Sequence, residues 1–234
     1  ADSLSALKKW VFEEKKYTMA QVLEAMDHNF EGYEEMRQVL ATKTDRYGND
    51  IPYADDIAKK VVEIYGQETD KYRSLYGGRV HPGFNSVSSN VPYGEAVCAL
   101  PDGRKDYTPL SNGNSPCNGA DVSGPTAIAI SCGGLNHDLM SGGSILNVKI
   151  TPTSVAGDDG MQRFVEYVKG AMAAGVWHVQ FNIVDQEVLR DAQIHPENHR
   201  DLIVRVAGYS AFFTGLSRRL QDDLIGRTEQ ELCS

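Results

Sequence analysis

The sequence predicts an α/β fold whose first third is helical. Three observations carry this expectation. Apolar residues recur at helical spacing through residues 1–76. Residues 144–150 and 176–184 are β-branched runs that flank a long amphipathic stretch, the pattern of a right-handed βαβ unit with two parallel strands. Residues 202–206 form another β-branched run, directly ahead of a lone glycine at 208. At 234 residues, the chain has room for one large domain or two small ones. Its 41% apolar and 24% charged residues are those of an ordinary globular protein.

The helical third reads as follows. Leu4, Leu7, Val11 and Phe12 share a helical face until the polar residues 13–16 interrupt it. Thr18 and Gln21 make a capping-box pattern for a second helix carrying Val22, Leu23 and Met26, with Gly32 as its terminator. Met36, Val39 and Leu40 mark a short third helix. Residues 45–50 are turn chemistry. Ile57, Val61, Ile64 and Tyr65 then mark a long helix reaching about Leu75. Structural packing is the expected work of this third.

From Gly77 onward Gly, Pro, Ser and Asn become dense. Residues 85–91 and 95–99 read as strands or extended segments, and residues 101–104 as a turn. Residues 110–124 have no periodicity, and long irregular loops of this kind tend to be functional. A short helix opens at Thr126. After the strand at 144–150, Asp158 or Asp159 caps a helix carrying Phe164, Val165, Val168 and Met172, which ends at Gly175. The strand at 176–184 is followed by a short helix over 187–193, and Ser217 caps a final helix. There are no repeats and no flexible linker.

Charge and composition exclude some functions. A net charge of −9 argues against nucleic acid as a partner, because such proteins carry a basic footprint. No stretch approaches membrane-spanning length, and no signal peptide is visible at the start. Cys98, Cys117, Cys132 and Cys233 include no C-x-x-C pair, so neither a zinc knuckle nor an iron–sulfur cluster is expected. Free thiols in a reducing cytoplasm are the default. His195 and His199 are four apart, but Pro196 spoils a shared helix, which favours a solvated turn over a metal pair. The chain opens at Ala1 almost directly into a helical pattern, so it is expected to begin partway through a larger fold.

Gly208 sits between apolar neighbours, without the polar chemistry of a surface turn. Two readings stand. A lone glycine in such surroundings marks a positive φ or a close backbone approach. Glycine is also the residue that best holds a backbone radical. Loss of one α-hydrogen leaves a planar carbon stabilised by the amide nitrogen on one side and the carbonyl on the other, and a Cβ would clash with the flanking peptides.

Arg205, Val206, Ala207, Gly208, Tyr209, Ser210 and Ala211 resemble the radical-site signature R-V-x-G-Y-x-A of the glycyl radical enzymes, the pyruvate formate-lyase-like superfamily. The motif lies close to the end of the sequence, as in that family. Residues 220–229 resemble the family's final helix, and residues 178–185 its penultimate core strand. The resemblance runs from about Phe30 onward.

This resemblance implies a barrel of two half-barrels in which a glycyl loop meets a cysteine loop. The chain would be the C-terminal portion of that barrel. Residues 1–76 would pack on it, 77–185 would supply second half-barrel strands and loops, and 186–234 would form the glycyl radical domain. Gly208 would store the radical for a cysteine thiyl. None of the four cysteines has the Gly-Cys-Val-Glu-like setting of the family's thiyl residue, so that cysteine is expected on an N-terminal barrel part or subunit.

Gln180 and Asn182 either hydrogen-bond the loop backbone or are ordinary polar groups facing it. Arg205 is an anion ligand or the partner of a structural carboxylate. Phe84, Asn85, Ser86, Thr151 and Thr153 are the candidate substrate lining. The run Phe84-Asn85-Ser86-Val87-Ser88 departs from the Tyr-Pro-Val-Ser-like sequence of the family's water-eliminating members, which argues against a simple diol dehydratase.

No cofactor is expected to stay bound. The family implies a separate S-adenosylmethionine activase with an iron–sulfur cluster, and a homo-oligomer of the complete enzyme. The reaction expected is cleavage of a carbon–oxygen, carbon–nitrogen or related bond in a small polar substrate. Arylacetate decarboxylation, addition to fumarate and a stand-alone radical-repair subunit stay open. So does a non-enzymatic binding module in which Gly208 is only a turn.

Overall fold

The computed structural model describes residues 1–232; Cys233 lies outside them. Helix α1 (Asp2–Leu7) runs into a wider π-helical turn, Lys8–Glu13. Its buried residues are Asp2, Ser5 and Ala6, whereas Leu4 and Phe12 are exposed, so the expected apolar face is corrected. Asp2 explains this. Its carboxylate accepts from Tyr47 N at 2.9 Å and from Arg46 Nε at 3.0 Å, which turns a polar face inward.

Helix α2 (Met19–Asp27) opens with the capping box, Thr18 Oγ1 accepting from Gln21 N. It closes at His28, ahead of Gly32, so Gly32 does not end it. Helix α3 (Glu34–Thr42) buries Leu40. Helix α4 (Pro52–Thr69) starts on a proline whose missing N–H costs nothing there, and it stops short of Leu75. Its buried face is Ala54, Asp55, Ala58, Val62 and Gly66, while Ile64 and Tyr65 are exposed. Close packing is the reason: a Cβ on Gly66 would stand 2.7 Å from Leu139 Cβ, so small residues line this contact.

The strands or extended segments expected at 85–91 and 95–99 form no strand, although Val97, which ends the helix there, is extended. A turn leads instead into helix α5 (Asn90–Ala96). Pro92 cannot donate to a strand ladder. The guanidinium of Arg104 gathers the carbonyls of Gly94, Val97 and Cys98, which satisfies the helix's C-terminal end. Residues 110–124 carry no regular element, and helix α6 (Pro125–Gly133) follows.

Strand β1 (Leu146–Ile150), helix α7 (Gly157–Ala173) and strand β2 (Val179–Ile183) make the βαβ unit. The strands are parallel, Leu146 opposite Val179 through Ile150 opposite Ile183. Ala156, rather than Asp158 or Asp159, holds the N-cap; both aspartates lie in the first turn, where the helix dipole favours a carboxylate. Asp185 caps helix α8 (Gln186–Ile194), accepting from Glu187 N at 2.7 Å. Strands β3 (Ile203–Arg205) and β4 (Ser210–Phe212) form an antiparallel hairpin. Ser217 takes the N-cap position of helix α9 (Arg218–Gly226) but makes no side-chain cap bond. Strand β5 (Glu229–Gln230) pairs with β1, giving a parallel sheet ordered β2-β1-β5.

The sheet is two-faced. Leu146, Val148, Ile150, Val179 and Phe181 pack with Ile128, Cys132, Tyr167 and Ala171 of α6 and α7. Period-two alternation turns Asn147, Lys149, Gln180 and Asn182 to the other side. Lys149, Gln180 and Asn182 are nonetheless buried. A buried polar face has to be hydrogen-bonded, and its Gln180 and Asn182 bond the hairpin.

Candidate active site

The β3–β4 hairpin turns at Ala207 and Gly208. Arg205 stands opposite Ser210, and Val206 N donates to Tyr209 O at 2.9 Å. Gly208 has φ +87°, a region that L side chains seldom enter. Val206 and Ala207 are buried while Gly208 is exposed, so the chain presents its glycine at the tip of a fixed turn. Val206 packs with Val91 of α5 and Leu220 of α9.

The turn's backbone is held from the sheet. Gln180 Oε1 accepts from Gly208 N at 3.0 Å. Asn182 bonds Arg205 at both ends, with Oδ1 accepting from Arg205 N at 2.8 Å and Nδ2 donating to Arg205 O at 2.6 Å. Gln180 and Asn182 sit opposite Asn147 and Lys149 in the strand register. Lys149 Nζ lies 3.1 Å from Glu229 Oε1, and burial pulls its amine below the usual lysine value.

A second support comes from the chain's end. Arg227, buried, donates from NH1 to Val206 O at 2.8 Å and from NH2 to Asp223 Oδ2 at 3.1 Å. The other oxygen of Asp223 accepts from Asn90 Nδ2 at 3.2 Å and Asn118 Nδ2 at 3.3 Å. Residues 220–229 were singled out in the sequence, but this bond was not. The Asp223–Arg227 i, i+4 spacing is its only local signal. Asn90 was hidden in a stretch read as strand.

The other sequence-named residues divide. Asn85 stands beside the turn: its Oδ1 lies 3.8 Å from where a Cβ on Gly208 would be. Ser86 Oγ donates to Asn112 Oδ1 at 2.9 Å, and Asn147 Nδ2 donates to the same oxygen at 3.1 Å. Phe84 packs away from the turn, with Tyr47, Val62 and Leu135. Thr151 and Thr153 lie past the C-terminal end of β1, at the opposite end from Asn147; Thr151 N donates to Gln230 O at 3.1 Å. Arg205 is exposed and donates to Ser210 Oγ at 2.9 Å, with no salt bridge to a carboxylate among the described residues. His195 and His199 both bond Asp191, at 2.9 and 2.6 Å, and their contact holds that carboxyl below its usual value.

Among the described cysteines, Cys132 is fully buried behind the sheet, and burial pushes its thiol up to about 12. Cys117 is raised to about 11 by the same cause, and Cys98 is exposed. Asp2, Asp102 and Cys117 cluster within 4.8 Å, but the Arg46 guanidinium already bridges the two carboxylates at 3.0 and 3.1 Å. All four carboxylate oxygens already accept hydrogen bonds, from the Arg46 guanidinium, Tyr47 N and Arg104 N, rather than facing a metal. Among the described residues no helix is long and apolar enough to cross a membrane.

Comparison with known proteins bears on this site. The pyruvate formate lyase-like family matches residues 1–94, and the glycine radical family matches residues 110–214. An isethionate sulfite-lyase of Bilophila wadsworthia is 42% identical over 97% of this chain and 28% of its own length. A trans-4-hydroxy-L-proline dehydratase of Clostridioides difficile is 42% identical over 98% of this chain and 29% of its own. The glycerol-bound B12-independent glycerol dehydratase of Clostridium butyricum superposes with a TM-score of 0.95 at 40% identity, over 98% of this chain and 29% of that one. The chain therefore spans under a third of the length of these relatives.

Proposed function

The chain belongs to the glycyl radical enzymes of the pyruvate formate lyase-like family, and from that premise we propose that Gly208 is where it stores an unpaired electron. The observation that carries this is the hairpin tip itself. Gly208 offers an exposed α-carbon, while a carboxamide oxygen of the sheet accepts from its own N–H. A bond accepted from that N–H raises electron density on nitrogen, which strengthens the donor half of the stabilisation an α-carbon radical needs.

The chemistry is a hydrogen-atom relay. The Gly208 radical takes the S–H hydrogen of a cysteine and becomes an ordinary glycine, leaving a thiyl. The thiyl takes a C–H hydrogen from the substrate. The substrate radical then loses its leaving group, the resulting product radical takes a hydrogen back from the thiol, and the thiyl so formed takes the α-hydrogen of Gly208, which restores the glycyl radical. The cysteine belongs to the part of the enzyme that the longer relatives have in addition. A separate S-adenosylmethionine activase with an iron–sulfur cluster would remove the first hydrogen from Gly208. Arg205, Val206, Ala207, Tyr209, Ser210 and Ala211 shape the turn, and Gln180 and Asn182 hold it.

The substrate class this supports is a small polar molecule that loses a hydroxyl, amino or similar group. Hydroxyproline, the substrate named for the dehydratase relative, is of that kind, and isethionate, named for the sulfite-lyase relative, is likewise small and polar but its enzyme is named for sulfite. Asn85 is the lining residue with the most direct geometric support, through its 3.8 Å approach to Gly208. Ser86 follows it in the same loop, whereas Phe84 packs away from the turn and Thr151 and Thr153 stand at the other end of β1, so the geometry gives these three no support as lining.

The test is anaerobic activation of the complete enzyme followed by electron paramagnetic resonance. A doublet from one α-hydrogen is expected, and air should then cut the backbone at Gly208 and release a short C-terminal peptide. An activated sample with neither signal nor cleavage leaves Gly208 as a turn and refutes the reading.

A further inference from the structure

A small space lies beside strand β1, lined by Asn112, Asn118, Asn147, Lys149 and Arg227 among others. Its volume is about 20 Å³. Three of these residues each keep one buried polar atom without a partner: Asn112 Nδ2, Asn147 Oδ1 and Arg227 Nε. Their other polar atoms are all engaged. Asn112 Oδ1 takes Ser86 and Asn147, Asn147 Nδ2 is on Asn112, and the two terminal nitrogens of Arg227 are on Val206 and Asp223.

Buried polar groups are almost always bonded, so three unpaired atoms around one space point to a missing ligand. The size and chemistry of that ligand are constrained. A space of about 10–15 Å³ suffices for one water, so one water fits here. Asn112 Nδ2 and Arg227 Nε are donors, whereas Asn147 Oδ1 is an acceptor. The ligand must therefore accept two hydrogen bonds and donate at least one, as water does. Charge does not favour an anion, because Arg227 is matched by Asp223 and Lys149 by Glu229, each at 3.1 Å.

We infer that this space holds one ordered water, bonded to Asn112, Asn147 and Arg227, and that Arg227 with this water is a positioning device for the turn that carries Gly208. The guanidinium has one edge on the Val206 carbonyl, two residues before Gly208. The water fixes its Nε–H to Asn112, and Asn112 holds Ser86, next to Asn85. The two loops that approach the Gly208 α-carbon are thereby tied to one another through a single guanidinium. The water site rests on geometry alone, whereas its value for catalysis rests on the radical reading above.

The first experiment is a high-resolution crystal structure of the full-length enzyme, with a second crystal soaked in bromide. A single water peak within roughly 2.6–3.2 Å of the three atoms is expected. An empty space, or anomalous bromide density there, overturns the inference. The second experiment is amide hydrogen exchange on the full-length enzyme and its Arg227→Lys and Asn147→Leu variants. Each should lower protection of the amides of residues 206–209 by about fivefold while the strands β1 and β2 keep theirs. A uniform loss across the chain would mean a merely structural arginine, and no loss would mean that the water holds nothing. In the activated enzyme the same variants should lower kcat with KM unchanged. A water present in an enzyme that forms no radical would sink the radical reading and leave the site standing; a radical enzyme with a dry space would do the reverse.

Discussion

Gly208→Ala tests the radical proposal, provided that the variant still folds, and the structure says that it does. A Cβ at 208 would meet Ile145 Cδ1 at 3.7 Å and Asn85 Oδ1 at 3.8 Å, both ordinary contacts. Space therefore contributes no penalty. The φ of +87° does, because an alanine in that region costs about 1–2 kcal/mol. Against a total stability of roughly 5–15 kcal/mol the fold survives. Gly113 is the informative contrast. Its φ is +63°, and an added Cβ would drive into the carbonyl of Ile145, which accepts from Asn114 N at 3.0 Å. Gly113→Ala should therefore destabilise distinctly more than Gly208→Ala, although only the latter deletes the radical. Denaturant unfolding of the complete enzyme gives the two costs, and electron paramagnetic resonance after anaerobic activation gives the radical. Gly208→Ala should retain its unfolding transition, shifted by about 1–2 kcal/mol, and show no doublet, no air-induced cut and no turnover. A full radical signal in Gly208→Ala refutes the chemical argument. A variant that does not fold refutes the steric one.

The remaining expectations concern the sheet, the core and the thiols. Gln180→Leu leaves the Gly208 N–H without its acceptor; the turn should lose about 1–3 kcal/mol and the doublet should decay faster than in the parent, which a matched pair of decay curves would check. Burial holds His137 below its ordinary value, with its ring nitrogens bonded to Cys132 O and Ser144 Oγ. The folded-state value being the lower one, its contribution is present in full above about pH 6.5 and is lost as pH falls through the folded value. Urea midpoints taken from about pH 8 down to about pH 5 should fall, and His137→Gln should flatten that slope. Cys98→Ser, Cys117→Ser and Cys132→Ala should each keep radical yield and turnover, since Cys132 lies behind the sheet and none has the expected thiyl setting; loss of activity in any one would identify the thiyl residue within this chain.

How much of this was legible in the sequence depended on how far apart the interacting residues lie. The β1–α7–β2 unit could be read because its signals are local: two β-branched runs, a long helical period and turn residues between them. Nothing within residues 85–91 marks them as turn and helix, because the features that stop a strand there lie outside them, in the proline at 92 and in a guanidinium at 104 that takes the helix's carbonyls. The buried face of α4 was misread for another reason. Periodicity selects the largest side chains, Ile64 and Tyr65, whereas the close approach of Leu139 requires a glycine at 66 and the buried face carries the small Ala54 and Ala58.

The site shows the same division. Arg205 to Ala211 is contiguous, so the turn announced itself. What makes the turn rigid is not contiguous. Gln180 reaches Gly208 across 28 positions, Arg227 reaches back 21 to Val206, and Asn90 meets Asp223 across 133. A hairpin of three-residue strands is marginal by itself. Its backbone groups are satisfied by a sheet face that folding has to bury with its polar side chains unpaired unless the hairpin arrives. Sheet and turn therefore each supply what the other lacks. Changing Asn182, which makes two of these bonds, should loosen the hairpin as a unit while leaving the α6–α7 side of the sheet packed.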